Sequence, residues 1–222
     1  MVLRRRAPGG FTLVELLVVI ALISLLMTVM VPVILRFMSG RGLAMAGNNL
    51  AGFVAYARTE AMNTRQIHVL VAYEEKTAID TGGIYQVEAG PGLALFRINP
   101  DPQEGEAVIT FVKQLNFEAQ VGGDVHFAAK WLNAAPKGPI LDLPEQANEK
   151  FEGRYKIGIR PDGRLMVPED KPGYVLDTGK TKGIEADMVV TDDTRFMFVD
   201  FNPATGAVRR TSPVDAEETD MQ

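Results

Sequence analysis

Between Phe11 and Leu35 the chain carries no lysine and no arginine. The opening of that run, Phe11-Thr12-Leu13-Val14-Glu15-Leu16-Leu17-Val18-Val19-Ile20, holds one carboxylate among apolar side chains. A helix of this length extends roughly 37 Å, enough to cross the hydrocarbon of a bilayer. Whatever the remainder folds into must therefore be tethered to a segment whose solvent is lipid. Arg4, Arg5 and Arg6 precede the run and a large polar remainder follows it. The positive-inside rule then leaves the N-terminus in the cytoplasm and the C-terminal domain outside.

Glu15 runs against its surroundings, because an acid near the centre of a lipid-embedded helix costs about 2.5–3.5 kcal/mol. A cation has to neutralise it, or the side chain has to snorkel to the interface. Directly upstream stands Pro8-Gly9-Gly10. A basic leader, a glycine, and an apolar run with one acid at its fifth position closely resembles the type IV prepilin signal. The resemblance implies that a membrane prepilin peptidase cuts after Gly10 and methylates Phe11 as the new N-terminus. It also implies that Glu15 pairs with the free Phe11 amine of a neighbouring subunit, which favours adding a subunit at the correct axial stagger. An ordinary secretory signal has a shorter apolar core that ends at small residues of the Ala-x-Ala kind. Here the run continues through Met27, Val29, Met30 and Val31, so an uncleaved signal anchor is the stronger rival.

A chain of 222 residues, 46% hydrophobic with that figure raised by the apolar run, fits one anchor helix and one modest globular domain. Its formal net charge is −5, and losing Arg4, Arg5 and Arg6 makes the remainder more acidic still. Non-specific nucleic-acid binding relies on clustered Lys and Arg, so no nucleic acid is expected as a partner. There is no cysteine. Disulfides, a Cys nucleophile and a thiolate metal site are thereby excluded, and stability must come from packing, partners or bound ions.

Beyond Arg36 the pattern becomes amphipathic: Leu43, Ala46, Leu50, Phe53, Ala57 and Ala61 recur at steps of three and four, one helical stripe to be laid against a sheet. A kink is expected at Pro32, and a bend or partly melted stretch near Ser39–Gly42, where Gly40 and Gly42 weaken the helix. From Gln66 the period switches to two, with Ile67, Val69, Val71 and Tyr73 alternating with His68, Leu70 and Ala72 as in a strand. Further strands are expected over Ile84–Glu88, Leu93–Ile98, Ala107–Val112 and Val125–Ala129. Lys137–Lys150 reads as a loop with a helical turn around Pro144–Asn148. Two hairpins turn at Pro161-Asp162-Gly163 and at Asn202-Pro203-Ala204-Thr205-Gly206, with Pro early and Gly late as such turns require. Ser212–Gln222 is polar and acidic and reads as a disordered tail.

A long N-terminal helix followed by a mostly antiparallel β domain is the type IV pilin-like architecture, an α+β fold. More narrowly, Ala57-Arg58-Thr59-Glu60-Ala61 followed by Ile67-His68-Val69 resembles the helix end of the GspH/FimT group of minor pseudopilins, with Thr59 in place of the usual Ser. The late Pro-Asp-Gly hairpin is similar to that group as well. The resemblance implies a leader at 1–10, a transmembrane helix at 11–35, an amphipathic continuation at 36–65 and a periplasmic domain at 66–211. It implies a non-enzymatic inner-membrane subunit of a type II secretion pseudopilus, a short filament that drives protein export. Its expected partners are the prepilin peptidase, other pseudopilin subunits, the inner-membrane assembly platform and inner-membrane lipid. A minor type IV pilin and an unprocessed membrane-anchored binding domain remain as alternatives.

The residues supply no catalytic constellation and no cofactor motif. His68 and His126 both fall in expected strands without a Ser or acid at a motif spacing. Asp192-Asp193 and Asp80-Thr81-Gly82-Gly83 do not match a calcium loop, and no metal site is assigned. Trp131 with Phe127 reads as core, and Arg209-Arg210 is too short for a basic patch.

Overall fold

The structure is a computed structural model that describes residues 12–80, 86–100, 107–121, 125–168, 173–174 and 184–215. It divides into two compact units, Met1–Ser39 and Gly40–Gln222. In the first, helix α1 begins at Leu13, and its apolar residues from Leu13 to Val31 are exposed all round. The helical pattern of α1 (Leu13–Thr64) is unbroken through Pro32 and through Ser39–Gly42, so the expected melted stretch does not occur. Each glycine costs about 1 kcal/mol relative to alanine, and the packing that begins at Leu43 outweighs it.

Within the second unit the stripe of α1 does what its spacing predicts. Leu43, Ala46, Leu50, Ala57 and Ala61 are completely buried, and Phe53 nearly so. The helix closes as Arg65 takes left-handed backbone at φ 54°, the usual way for a helix end to turn. The following elements are β1 (Ile67–Tyr73), β2 (Thr77–Asp80), β3 (Gln86–Ala89), β4 (Gly92–Pro100), β5 (Ala107–Asn116), α2 (Phe117–Val121), β6 (His126–Phe127), α3 (Ala129–Ala134) and α4 (Glu145–Lys150). After these come β7 (Lys156–Ile159), β8 (Leu165–Met166), β9 (Gly173–Tyr174), β10 (Ile184–Glu185), β11 (Met188–Thr191), β12 (Arg195–Phe201), β13 (Val208–Arg210) and β14 (Val214–Asp215).

One sheet has the order β5-β4-β1-β7-β8 and is antiparallel throughout. A second is ordered β13-β12-β11-β6, and β14 also pairs with β12. Separate two-stranded ladders join β2 to β3 and β9 to β10. An apolar helix followed by an antiparallel sheet domain is the α+β arrangement expected from the sequence and is consistent with the type IV pilin-like fold.

Strand β1 is central, and both of its faces are buried. Leu70 and Ala72 join the α1 stripe, Leu93, Leu95 and Ile157 in the main core, which extends to β11 and β12. Val69, Val71 and Tyr73 face a second core with Phe96, Ile98, Leu143 and Phe151. The segment read as a loop, Lys137–Lys150, is what closes that second core. Its helical turn is α4, and its Ala147 is completely buried. Lys156 is buried beside it and donates from Nζ to the Phe151 carbonyl at 3.3 Å, at the C-terminal end of α4, where a cation suits the helix dipole.

Several elements depart from the sequence reading. The strand expected over Val125–Ala129 is only His126–Phe127, because Ala129–Ala134 turns into a helix. This rotation carries the Trp131 ring inward, 5.2 Å from Phe127 and 5.0 Å from Tyr155 by ring centroids. Trp131 Nε1 donates to the Asp187 carbonyl at 3.1 Å, so the ring is core as expected and its polar atom is satisfied. Short strands β2 and β11 and helix α2 had no distinctive sequence pattern. Part of the expected disordered tail is ordered: Val214–Asp215 pairs with Arg195 and Phe196, and Val214 packs on the main core. Thr211 bridges the gap, donating from its N–H to the Phe198 carbonyl and accepting the Phe198 N–H at its hydroxyl. Residues 216–222 lie outside the described residues.

His68 is the polar residue most deeply placed in β1, with no exposure. Its Nδ1 lies 3.0 Å from the Gln66 carbonyl, so Nδ1 carries the proton, and buried Nε2 has no hydrogen-bond partner among the described residues. Burial pushes the imidazole below its ordinary value; the Gln66 hydrogen bond and Glu60 oppose the shift, and Arg97 adds to it. As pH falls through the ordinary imidazole range, the unfolded chain takes up a proton that the folded domain refuses. Stability therefore falls with acidification until the folded-state value is passed. Thermal unfolding of the full chain in detergent across that range should show this slope, and His68→Gln should flatten it. Equal slopes would place the proton-linked loss elsewhere. Trp131→Ala should cost about 3–5 kcal/mol by the same measurement. Truncation before Ser212 should cost about 1–2 kcal/mol through the loss of β14 and its Val214 contact.

Candidate functional site

The first turn of α1 is built by a reciprocal pair of side chains. Thr12 precedes the helix, and its Oγ1 accepts the Glu15 N–H at 3.2 Å. Glu15 reaches back, its Oε2 accepting from the Thr12 N–H and from the Thr12 hydroxyl, each at 3.4 Å. This is a capping box, Thr-x-x-Glu, which satisfies two N–H groups that the helix cannot bond internally. The carboxylate also sits at the helix end where the backbone dipole favours negative charge. The signal was present in the sequence as a Thr three residues before a Glu ahead of an apolar run, and the expected role of Glu15 between chains obscured its local one.

Glu15 is exposed on a helix whose candidate membrane span, Leu13–Val31, is 19 residues long with a mean hydropathy of 2.8 and none of it buried within the chain. Thr28, one of the polar residues along it, donates its hydroxyl to the Ser24 carbonyl at 2.8 Å, inside the helix. A helix of this length, composition and exposure is compatible with a membrane anchor. Gly10 and Phe11, the expected processing residues, lie outside the described residues, as does the leader before them.

The Ala57-Arg58-Thr59-Glu60-Ala61 segment has a structural task that its spacing alone did not disclose. Ala57 and Ala61 are buried against the sheets. Arg58 Nε donates to the Gly163 carbonyl at 2.7 Å, in the Pro161-Asp162-Gly163 turn. The same side chain packs on Gly206 of the other hairpin turn, where a Cβ would collide with it. Gly163 and Gly206 both take left-handed backbone, at φ 80° and 63°, as the two turns predicted. The Leu165 N–H donates to the Pro203 carbonyl at 2.9 Å, joining the hairpins directly. Arg58 thus fastens α1 to both sheets at once.

The remaining candidates are placed apart from one another. His68 lies in the core at β1, while His126 Nε2 is 3.2 Å from Asp193 Oδ1 at the surface. Asp192 is used locally: Oδ1 accepts the Arg195 N–H at 2.9 Å, and Oδ2 pairs with the Arg195 guanidinium at 2.9 Å. Asp80 ends β2, and Thr81–Gly83 lie outside the described residues. Among the described residues no group of three or more His, Asp or Glu is arranged to hold a metal ion. Arg210 donates from Nη1 to the Ala44 carbonyl at 3.3 Å, back onto α1.

No curated protein and no solved structure matches the chain. Residues 5–31 match the prokaryotic N-terminal methylation motif, a type IV pilin-class signal and a structural motif rather than an enzyme family. That motif is the cleavage signal of the prepilin peptidase, and it marks the chain as a type IV pilin-like or pseudopilin precursor, with processing and pilus-like assembly implied.

Proposed function

We propose that this protein is a minor pseudopilin of a type II secretion system, held in the bacterial inner membrane by α1 with its β domain in the periplasm. There it assembles with other pseudopilins, on an inner-membrane platform, into a short filament that drives protein export. The observation that carries this reading is the methylation motif over residues 5–31 with Glu15 exposed in the first turn of an apolar helix. The Ala57-Arg58-Thr59-Glu60-Ala61 helix end, running directly into β1 and fastened to two late hairpins, supports the GspH/FimT assignment.

In this mechanism cleavage after Gly10 creates a cation at Phe11, and methylation keeps it charged. Before assembly, Glu15 is held by its own Thr12. On entering the filament, its carboxylate turns to the Phe11 amine of a neighbouring subunit. An acid and an amine that are each expensive in lipid become one neutral pair, so subunits add only where the two come together.

Intact mass spectrometry of the protein from its native membrane should find a chain beginning at Phe11 and heavier by one methyl group. A chain still beginning at Met1 would remove the filament reading and leave a signal-anchored domain. Gly10→Ala should accumulate the precursor, and Glu15→Leu should insert and be processed yet fail to co-purify with filaments. Normal incorporation of Glu15→Leu would overturn the ion-pair step alone. Deleting the subunit should arrest protein export; intact export with loss of surface pili would instead assign a minor type IV pilin.

A further inference from the structure

Along α1 no acid stands between Glu15 and Glu60, and the charged side chains of that stretch are Arg36, Arg41 and Arg58. Arg58 is committed to the two hairpin turns. Arg41 is exposed. Strand β13 ends in Arg209 and Arg210, which are exposed too and, taken alone, are too short a run for a basic patch. The fold separates their roles. Arg209 stands opposite Asp200 in the β12–β13 ladder, whereas Arg210 stands opposite Val199, a buried apolar residue. Arg210 turns to α1 instead: its Nη1 donates at 3.3 Å to the carbonyl of Ala44, three residues and nearly one helical turn after Arg41. A mid-helix carbonyl already accepts a backbone N–H, and a guanidinium carries five N–H donors. That bond is the one hydrogen bond of the Arg210 guanidinium among the described residues. Two exposed arginines are thus gathered on neighbouring turns of one helix, with donors to spare on Arg210.

We propose that Arg41 and Arg210 hold the phosphodiester of an anionic phospholipid in the leaflet through which α1 leaves the membrane, a site that rests on reading α1 as an anchor. Position, an apolar neighbour and charge together select a lipid. The apolar run ends at Leu35 and Arg41 follows six residues later, roughly 9 Å of helix, while the headgroup layer is roughly 5–8 Å deep on each side of a bilayer. Arginine snorkels across the small remainder. Met45 lies four residues after Arg41, on the same helix face, and is 47% exposed. An apolar side chain beside two cations suits an amphiphile better than a hydrated inorganic ion. The chain carries −5 overall and repels anions at a distance, so an anion is drawn only where arginines are gathered. A guanidinium then matches phosphate oxygens in a two-point contact.

The full chain in detergent, titrated with phosphatidylglycerol or with phosphatidylcholine of the same acyl length and followed by native mass spectrometry, should retain the anionic lipid at the lower concentration. Arg36 and the leader arginines attract the same lipid, so the variants decide. Arg41→Gln and Arg210→Gln should each weaken phosphatidylglycerol retention about fivefold and leave phosphatidylcholine unchanged. Arg210→Lys should keep part of the preference, and Arg209→Gln should keep nearly all of it. Arg41 lies outside the sheets, so its variant still tests the site if Arg210→Gln lowers the thermal midpoint. Unaltered retention of phosphatidylglycerol in both Gln variants overturns the proposal, as does equal retention of the two lipids by the unsubstituted chain. Displacement of the lipid by millimolar inorganic phosphate would assign a soluble anion instead and overturn it as well. Flotation with vesicles is a separate readout, secured by α1. A chain that does not float removes the anchor itself, whereas one that floats without the arginine-dependent preference overturns this site alone and leaves the proposed function standing.

Discussion

One helix works in two surroundings. Over Leu13–Val31 α1 is apolar on every side apart from Glu15, Ser24 and Thr28, and none of it is buried among the described residues. From Leu43 to Ala61 only one stripe is apolar, and that stripe is the centre of a protein core. The β domain depends on the second part. Both sheets send their inner faces to it, and without α1 the residues of β1, β4, β7, β11 and β12 that line the main core would face water. Alanine at positions 46, 57 and 61 lets the strands approach closely, while Leu43, Leu50 and Phe53 fill the volume between them.

The first turn shows a different economy. A carboxylate in an apolar helix is costly, and the Thr12–Glu15 capping box reduces that cost inside a single chain by setting the acid on the helix's own unsatisfied N–H groups. The hydrogen bonds that do so are long, 3.4 Å at the carboxylate, and short charge-assisted ones are markedly stronger. The carboxylate is therefore only partly satisfied by its own turn, which leaves room for the stronger pairing with a neighbour's Phe11 amine that we propose.

What the sequence disclosed, and what it hid, follows from how far each signal reaches. The α1 stripe, β1 and the two hairpins were legible because their determinants are local: a period of 3.6, a period of two, and Pro and Gly at fixed turn positions. β11 was missed because Met188-Val189-Val190-Thr191 is a short apolar run buried on all sides, with no alternation to read. The first residues of the tail were misread for the opposite reason: a polar, acidic composition concealed Val214, which packs on the main core within β14. The role of Lys137–Lys150 as the cover of a second core was invisible because it depends on β1 being central, a fact of topology. At the candidate site, Glu15 was found through its incongruity, whereas Arg58 appeared only as a letter in a motif, since its partners are 105 and more residues away.

The contacts of Arg58 also define how the domain carries mechanical load. Its guanidinium holds one hairpin turn by a hydrogen bond to Gly163 and rests on the other at Gly206, while Leu165 and Pro203 tie the turns together. Tension applied along α1 within the domain therefore loads two hairpin turns, one from each sheet, through a single side chain.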